Sequence, residues 1–315
     1  TSTKQTPSNT FKHLQTPGGH MLIAVTGATG FIGSALCPFL KKEGHSILSI
    51  GRGPSNDVVW DPTKGVLPTN KFDGVEAVIH LAGENIAGGR WTDKQKALIL
   101  ESRTKGTELL SQTLSQLPTP PRVLLSGSAI GIYGNRGDEE LYEDSSSGEG
   151  FLAEVVKQWE GATQIAENAG IRVTHLRTGL VQSPSDGMLK KTRLLFKLGL
   201  GGRIGSGKQF WSWISLEDEV RLIHWLLTNE ISGAVNLTAP SPVTNSEYTK
   251  ALGSALKRPT FFTVPEFAPQ LLLGKELATE LLQNSLRVLP QKAIDNGFEF
   301  KHKNLAVSFP DILSE

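Results

Sequence analysis

A glycine-rich turn between an apolar strand and an apolar helix, at residues 22–33, constrains the fold of this chain most strongly. Three glycines at this spacing allow a tight turn, close approach of a pyrophosphate to the backbone, and packing of the helix on the strand. The free N–H groups at the helix start add a partial positive charge that suits phosphate. The segment therefore predicts a dinucleotide site that includes Gly27, Thr29, Gly30, Phe31, Ile32 and Gly33.

The residues after the second predicted strand, 46–50, indicate which dinucleotide binds. NAD sites usually carry an Asp or Glu at this strand end for the ribose 2′-hydroxyl, whereas NADP sites tend to have an Arg for the 2′-phosphate. Here the strand runs into Gly51 and Arg52, and the first carboxylate is Asp57. A guanidinium can pair with a phosphate through two hydrogen bonds. We therefore predict NADP, with Gly51 and Arg52 in its site; the alternative is that Arg52 is only a solvated loop charge.

Strands and helices are predicted to alternate along the first half of the chain. Further strands are predicted at 75–83, 122–126 and 172–177, and helices at 31–43, 93–117 and 151–169. This alternation predicts an α/β fold, a Rossmann-type doubly wound parallel sheet.

The pattern loosens beyond residue 178, where we expect a smaller C-terminal substrate lobe. Within it, residues 233–238 are predicted to return to the main sheet. The predicted organisation is a polar leader or linker at 1–20, an NADP-binding Rossmann domain at 21–180, and the lobe at 181–315.

Composition excludes several other classes of protein. The chain has 32 Lys and Arg against 31 Asp and Glu, a net charge of +1 that gives no basic footprint for nucleic acid or an anionic membrane. The single cysteine, Cys37, excludes an intramolecular disulfide and predicts a reducing compartment, the cytoplasm. No apolar run has transmembrane length, and no His, Cys and Asp spacing suggests a metal site.

Four segments carry a family signature: TGATGFIG at 26–33, HLAGEN at 80–85, SGSAIGIYG at 126–134 and RTGLV at 177–181. Together they resemble the extended short-chain dehydrogenase/reductase superfamily, in its nucleotide-sugar epimerase and dehydratase clan. Within that clan the chain is similar to the epimerase-family, SulA-like cell-division-inhibitor proteins. The segments that match this subfamily are GENI at 83–86, RWT at 90–92, ESR at 101–103, FLAE at 151–154, GSGKQFWSWI at 205–214, VLP at 288–290 and GFEF at 297–300.

The resemblance, which runs from residue 21 to the chain end, implies further cofactor contacts. It places Leu81, Ala82 and Gly83 beside the adenine and ribose. It also implies that Arg103 reaches back toward the cofactor. The last two residues implied, Thr178 and Val181, would border the nicotinamide. Many relatives pair through two long helices of the sheet domain, so a homodimer is expected.

The catalytic residues depart from the family pattern. In the superfamily a Tyr-x-x-x-Lys pair and an upstream Ser drive hydride transfer, because the cationic Lys lets a phenol of pKa near ~10 exchange a proton at neutral pH. Lys157 matches the Lys and would also hold the ribose, but Ala153 stands where the Tyr should be. The candidates that remain are Ser128, Tyr133 and Lys157. The alternatives are a turn hydroxyl for Ser128, a structural or substrate-lining role for Tyr133, and an exposed helix charge for Lys157.

A glycine-rich segment of the outer lobe, residues 199–213, combines the cations Arg203 and Lys208 with several aromatic residues. It would either grip a nucleotide-sugar-like substrate or fill the interface between lobe and sheet. Glu84 is either an acid or base facing the pocket or a residue that orders its loop. The first functional hypothesis is an NADP-dependent oxidoreductase or epimerase acting on an unidentified small substrate. The second is a catalytically silent NADP(H) sensor or regulatory protein, and the third is a scaffold that binds no cofactor.

Overall fold

A parallel sheet of seven strands forms the centre of the computed structural model, which describes residues 19–65 and 67–314. Within that part of the chain the strands are β1 Leu22–Thr26, β2 Ser46–Gly51, β3 Val58–Val59, β4 Val75–His80, β5 Val123–Ala129, β6 Glu140–Leu141, β7 Arg172–Thr178, β8 Leu180–Gln182, β9 Gly202–Ile204, β10 Phe210–Trp211, β11 Trp213–Ser215, β12 Gly233–Leu237, β13 Val243–Thr244, β14 Phe262–Val264 and β15 Arg287–Val288. The sheet order is β12-β7-β5-β4-β1-β2-β3. The leader predicted at 1–20 lies outside the described residues except for Gly19 and His20.

Helices cover both faces of this sheet. They are α1 Phe31–Lys42, α2 Asp93–Ser115, α3 Phe151–Gly161, α4 Gln164–Asn168, α5 Gly187–Lys197, α6 Leu216–Thr228, α7 Asn245–Leu256, α8 Phe267–Leu273, α9 Lys275–Ala278, α10 Gln291–Asp295 and α11 Leu305–Ile312, with a 3-10 turn at Ile130–Tyr133 and a π turn at Thr279–Gln283. One core lies between the sheet and helices α1 and α6, and another lies between the sheet and helices α2 and α4. The predicted doubly wound α/β fold is confirmed.

The sheet reverses its winding direction between β1 and β4. Strands β2 and β4 lie on either side of β1, and both pair with it in parallel. Ligands of open α/β sheets bind in the crevice that such a reversal leaves at the carboxyl ends of the strands. The glycine turn follows β1 directly, so the fold places it at this crevice.

The C-terminal part of the chain builds a third core from β10, β11, α5, α7 and α11, in which Trp213 and Tyr248 are the largest fully buried side chains. The predicted return to the main sheet occurs, because β12 pairs in parallel with β7. One predicted helix is divided: residues 151–169 form α3 and α4, separated at Thr163. The Thr163 hydroxyl donates to the Glu160 carbonyl at 2.8 Å, which competes with the regular helical hydrogen bonds.

None of the helices in the described part of the chain combines the length and the apolar character that crossing a bilayer requires.

Candidate functional site

The turn after β1 accepts only glycine at two of its positions. Gly27 has φ +71°, and a Cβ there would lie 2.9 Å from the Leu81 carbonyl carbon at the end of β4. A Cβ on Gly33 would overlap the Gly27 carbonyl oxygen. The turn is therefore bare backbone, and the first N–H groups of α1 have no partner within the helix. Such a cradle fits a pyrophosphate.

Arg52 follows β2 beside this turn, since the Gly27 N–H donates to the Ile50 carbonyl at 3.3 Å. Its side chain is exposed and makes no hydrogen bond or ion pair with any described residue. The Asp57 carboxylate accepts the Ser49 hydroxyl at 2.7 Å and the Ser49 N–H at 2.9 Å, and these bonds lower its pKa. The Asp57 carboxylate is therefore held by Ser49, and the Arg52 side chain is available to an anionic ligand.

Arg103 brings a cation to the same edge of the sheet. Its guanidinium carbon would lie 3.2 Å from a Cβ on Gly83. Its Nη1 donates to the carbonyls of Glu84, at 2.9 Å, and Ile99, at 3.2 Å. Burial lowers the Arg103 pKa to about 10, so it stays charged at neutral pH. The Glu84 N–H also donates to the Ser102 hydroxyl at 3.0 Å. Both bonds of Glu84 involve its backbone, so the role of its side chain stays a prediction.

A cavity of about 210 Å³ opens at the carboxyl ends of β5 and β7. Its lining includes the predicted residues Arg103, Ser128 and Thr178. Val181 is not in the lining and packs on the core between the sheet and helices α1 and α6. Polar side chains in the wall are few, and most apolar ones come from α3 and from the C-terminal part of the chain. The complete lining is Ile86, Arg103, Ser128, Ala129, Ile130, Gly131, Leu152, Val155, Val156, Trp159, Thr178, Gly179, Leu180, Phe210, Trp211, Ser212, Glu280, Leu281, Asn284 and Leu286.

An apolar face of α3 forms one wall of this cavity, made of Leu152, Val155, Val156 and Trp159. Lys157 is not part of the lining, because it lies on the exposed side of the helix with its Nζ 3.2 Å from Glu154. An exposed pair of this kind is weak. The ribose contact expected of Lys157 thus stays a prediction, and it requires the side chain to leave Glu154.

Ser128 lines the cavity and is anchored to a buried ion pair. Its hydroxyl donates to Glu160 Oε1 at 2.6 Å, and Arg177 binds the same carboxylate through Nε at 2.8 Å and Nη2 at 2.9 Å. Burial by itself would raise the Glu160 pKa, but the hydrogen bonds and charge of Arg177 outweigh it and lower this pKa. The arrangement holds Ser128 in one orientation, with its oxygen able to accept a hydrogen bond from a ligand.

Tyr133, a catalytic candidate from the sequence, belongs to this buried network and not to the cavity wall. Its ring is fully buried, and its hydroxyl donates to Asn236 at 2.7 Å and accepts from Arg177 at 2.9 Å. Burial raises the Tyr133 pKa further above its ordinary value. A catalytic phenol must reach a ligand, so this position corrects the catalytic assignment in favour of the structural alternative.

Two carboxyl groups at or beside the cavity were not identified from the sequence, since no motif contains them. Glu219, in the first turn of α6, is completely buried beneath Thr178, whose hydroxyl donates to Glu219 Oε1 at 2.8 Å. Its Oε2 has no partner among the described residues, and burial raises its pKa to about 8. Glu280 lines the cavity and accepts the N–H groups of Phe151 and Leu152 at the start of α3, at 2.8 and 2.9 Å.

The outer-lobe segment at 199–213 contributes both to the cavity and to a core. Phe210, Trp211 and Ser212 line the cavity. Trp213 is fully buried in the third core, within the C-terminal part of the chain, so the substrate role of the segment stays a prediction. Arg203 lies elsewhere, beside β14, with its Nε 3.3 Å from the Thr263 hydroxyl.

Three side chains far apart in sequence, Glu217, His302 and Asp311, place ligand atoms within 4.8 Å of one another, which the sequence spacing did not suggest. A cation of the chain already occupies the position between the carboxylates. The Lys301 ammonium lies 2.6 Å from Glu217 and 3.0 Å from Asp311. The cluster is accounted for as a surface ion-pair network.

Two family models match the chain. Residues 23–238 match the NAD dependent epimerase/dehydratase family, and residues 264–312 match a domain of unknown function, DUF1731. Epimerase family protein MT2273 of Mycobacterium tuberculosis is 42% identical over 288 residues, which are 90% of this chain and 95% of that protein.

Among the solved structures that resemble this one, two have sequences 31% and 32% identical to it. The human epimerase family protein SDR39U1 (isoform 2), solved with NADPH, has a TM-score of 0.86 at 31% identity. The match covers 94% of this chain and 100% of the human chain. A nucleoside-diphosphate sugar epimerase from Corynebacterium glutamicum has a TM-score of 0.77 at 32% identity, covering 94% of this chain and 58% of its own.

Proposed function

Because this chain belongs to the NAD dependent epimerase/dehydratase family, we propose that it is an NADP(H)-dependent oxidoreductase that acts on a small molecule in the cavity beside Ser128. The glycine turn would bind the pyrophosphate, and Arg52 the 2′-phosphate. Arg103 would face the anionic or ribose part of the ligand. The cofactor supplies hydride chemistry when it is bound, and the chain positions the substrate and excludes water. The cytoplasm remains the predicted compartment.

One observation carries the choice of NADP over NAD: Arg52 is exposed and unpaired within the described chain, beside the glycine turn, while Asp57 is held by Ser49. A 2′-phosphate there would meet a cation whose charge no described residue neutralises. The NADPH in the human relative's structure supports the same choice.

We expect Arg52→Ala to raise the Kd for NADPH about 10- to 100-fold and to leave the Kd for NADH within about twofold. Hydrogen bonds to charged groups contribute about 1.5–3 kcal/mol, and each 1.4 kcal/mol is about tenfold in affinity. Titration of the purified protein with each cofactor, followed by cofactor fluorescence, measures both constants.

Lys64→Ala is the matched control, because Lys64 is also an exposed cation, in the loop after β3, with a side chain 81% exposed. It should leave both constants within about twofold. Equal weakening of NADPH and NADH by Arg52→Ala would contradict the 2′-phosphate assignment. If neither cofactor binds the wild type, the scaffold hypothesis replaces both cofactor-dependent ones.

The apolar wall of α3 favours a second candidate function, a silent NADP(H) sensor, because no Tyr or Lys from that helix lines the cavity. A sensor would bind NADPH without consuming it in the presence of any carbonyl compound. It would also bind a partner protein with an affinity that depends on the redox state of the cofactor. Oxidation of bound NADPH, followed at its absorbance maximum, separates the two functions.

A further inference from the structure

The cavity is apolar where a sugar substrate would need polar partners. The α3 wall offers only carbon atoms and the Trp159 indole, and the opposite wall adds Phe210, Trp211, Leu281 and Leu286. Buried polar groups of a ligand cost free energy unless they find hydrogen bonds. The walls therefore suit a flat, apolar ring.

The hydroxyl hydrogens of three lining residues are already donated within the chain, although the Ser128 oxygen can still accept a hydrogen bond. Ser128 donates to Glu160, Thr178 donates to Glu219, and the Ser212 hydroxyl donates to the Leu286 carbonyl at 2.8 Å. The carboxylate of Glu280 accepts two backbone N–H groups of α3, as described above.

Three side chains of the lining keep donors for a ligand. One is Trp159, whose indole Nε1 has no hydrogen-bond partner among the described residues. The Asn284 amide makes no hydrogen bond with the described residues, and Arg103 uses only Nη1 in the hydrogen bonds given above. The hydroxyl groups of a hexose outnumber these partners, whereas one or two carbonyl oxygens do not.

We propose that the substrate of this cavity is an apolar ring that carries conjugated carbonyl groups, of the quinone class, and not a nucleotide sugar. This inference rests on the proposed NADPH-dependent function. In the reaction, bound NADPH would supply a hydride, with its electron pair, to one quinone oxygen, which would give NADP⁺ and a hydroquinone monoanion. The other oxygen would take one proton from solvent, so one NADPH, one quinone and one proton would give NADP⁺ and one hydroquinone.

The missing tyrosine fits this chemistry. Reduction of a saturated ketone generates an alkoxide, a strong base that needs an acid beside it. A hydroquinone monoanion is a phenolate, and phenols have a pKa near ~10, so protonation by water suffices. The Arg103 guanidinium lines the cavity 5.0 Å from the Trp159 ring, where it would stabilise the negative charge of that phenolate.

The test measures NADPH oxidation by the full chain with 1,4-naphthoquinone, cyclohexanone and UDP-glucose in turn, each corrected for a protein-free blank. Binding of each compound to the NADPH-loaded protein is followed in parallel by tryptophan fluorescence, because Trp159 and Trp211 line the cavity. We expect naphthoquinone turnover at least about 100-fold above that of cyclohexanone, with a rate that falls when the transferred hydrogen of NADPH is deuterium. UDP-glucose should not change the fluorescence.

A paired substitution tests the apolar wall. Val156→Thr keeps the side-chain volume but adds a hydroxyl to a buried wall residue, so the KM for naphthoquinone should rise about 5- to 10-fold with the NADPH Kd unchanged. Val307→Thr, at a residue 79% exposed on α11, should change neither constant.

Three outcomes would overturn the inference. In the first, the protein binds NADPH but does not oxidise it with naphthoquinone above the blank. In the second, only UDP-glucose changes the tryptophan fluorescence. In the third, the wild type and Val156→Thr have equal KM values for naphthoquinone. All of these leave NADPH binding intact, so they differ from failure of the proposed function, in which NADPH itself does not bind.

Discussion

Glu160→Gln is expected to destabilise the folded protein by about 3–5 kcal/mol, because it leaves the Arg177 charge buried without its counter-ion. Arg177 is only 8% exposed, and Glu160 binds it through two hydrogen bonds of 2.8 and 2.9 Å. The glutamine keeps the shape of the side chain but cannot neutralise the guanidinium. The measurement is the free energy of unfolding in urea, with the thermal midpoint as a second observable.

Glu76→Gln is the control for this prediction. Glu76 also pairs with an arginine, Arg122, at 2.7 Å, but the two side chains are 38% and 72% exposed. Exposed pairs contribute about 0–1 kcal/mol, so the control should lose no more than that. A loss of the same size in Glu76→Gln and Glu160→Gln would show that burial of the Glu160–Arg177 pair has no energetic consequence.

A double substitution keeps the prediction testable if Glu160→Gln does not fold. Replacing buried ion pairs by apolar residues of similar volume is often neutral or stabilising, because no charge is left without a partner. Glu160→Leu combined with Arg177→Met should therefore be more stable than either single substitution. Additive losses in the double variant would contradict this account.

Glu219 should make the wild-type protein less stable as the pH rises from about 5 to about 8. Its folded pKa is raised from the ordinary value of 4.5 to about 8 by complete burial. The native state keeps a proton that the unfolded chain releases above 4.5. The contribution of this proton to stability is full below that pH and is lost as the pH rises through the folded pKa. A shift of this size corresponds to a loss on the order of 4 kcal/mol.

Glu219→Gln removes the titration but keeps the hydrogen bond from Thr178, since a glutamine side chain also has an accepting oxygen. Over the same pH range, its stability should fall by much less than that of the wild type. Glu149→Gln, at an exposed carboxyl, should behave as the wild type does. Unfolding free energies measured in urea at several pH values between 4.5 and 8.5 decide the question. Parallel curves for wild type and Glu219→Gln would mean that Glu219 is ionised in the folded protein.

The fold was predictable because its signals are local. These signals are the glycine turn at 27–33, the apolar strands and their alternation with helices, and each depends on neighbouring residues. Such an alternation packs as a parallel sheet covered by helices. The position of Arg52 was predictable for the same reason, since it follows directly from the end of β2, and its contact with the cofactor stays a prediction.

The catalytic side of the site was less predictable, because helix rotation and buried partners are decided by packing. The family resemblance assigned Lys157 to the site, but the packing of α3 turns Leu152 and Val156 to the cavity and leaves Lys157 exposed. Tyr133 lies close to Ser128 in sequence, yet its ring is fully buried away from the cavity wall.

The sequence by itself determined the parallel sheet, the glycine turn after β1 and the cation beside it, because each follows from short-range residue patterns. Only the tertiary structure decided the chemistry around the cavity, because its contacts join distant segments. The Ser128 hydroxyl binds Glu160, which also binds Arg177. The Thr178 hydroxyl binds Glu219 of α6, and the first N–H groups of α3 bind Glu280. Such pairings depend on how the elements pack in three dimensions, which no local pattern of the chain encodes.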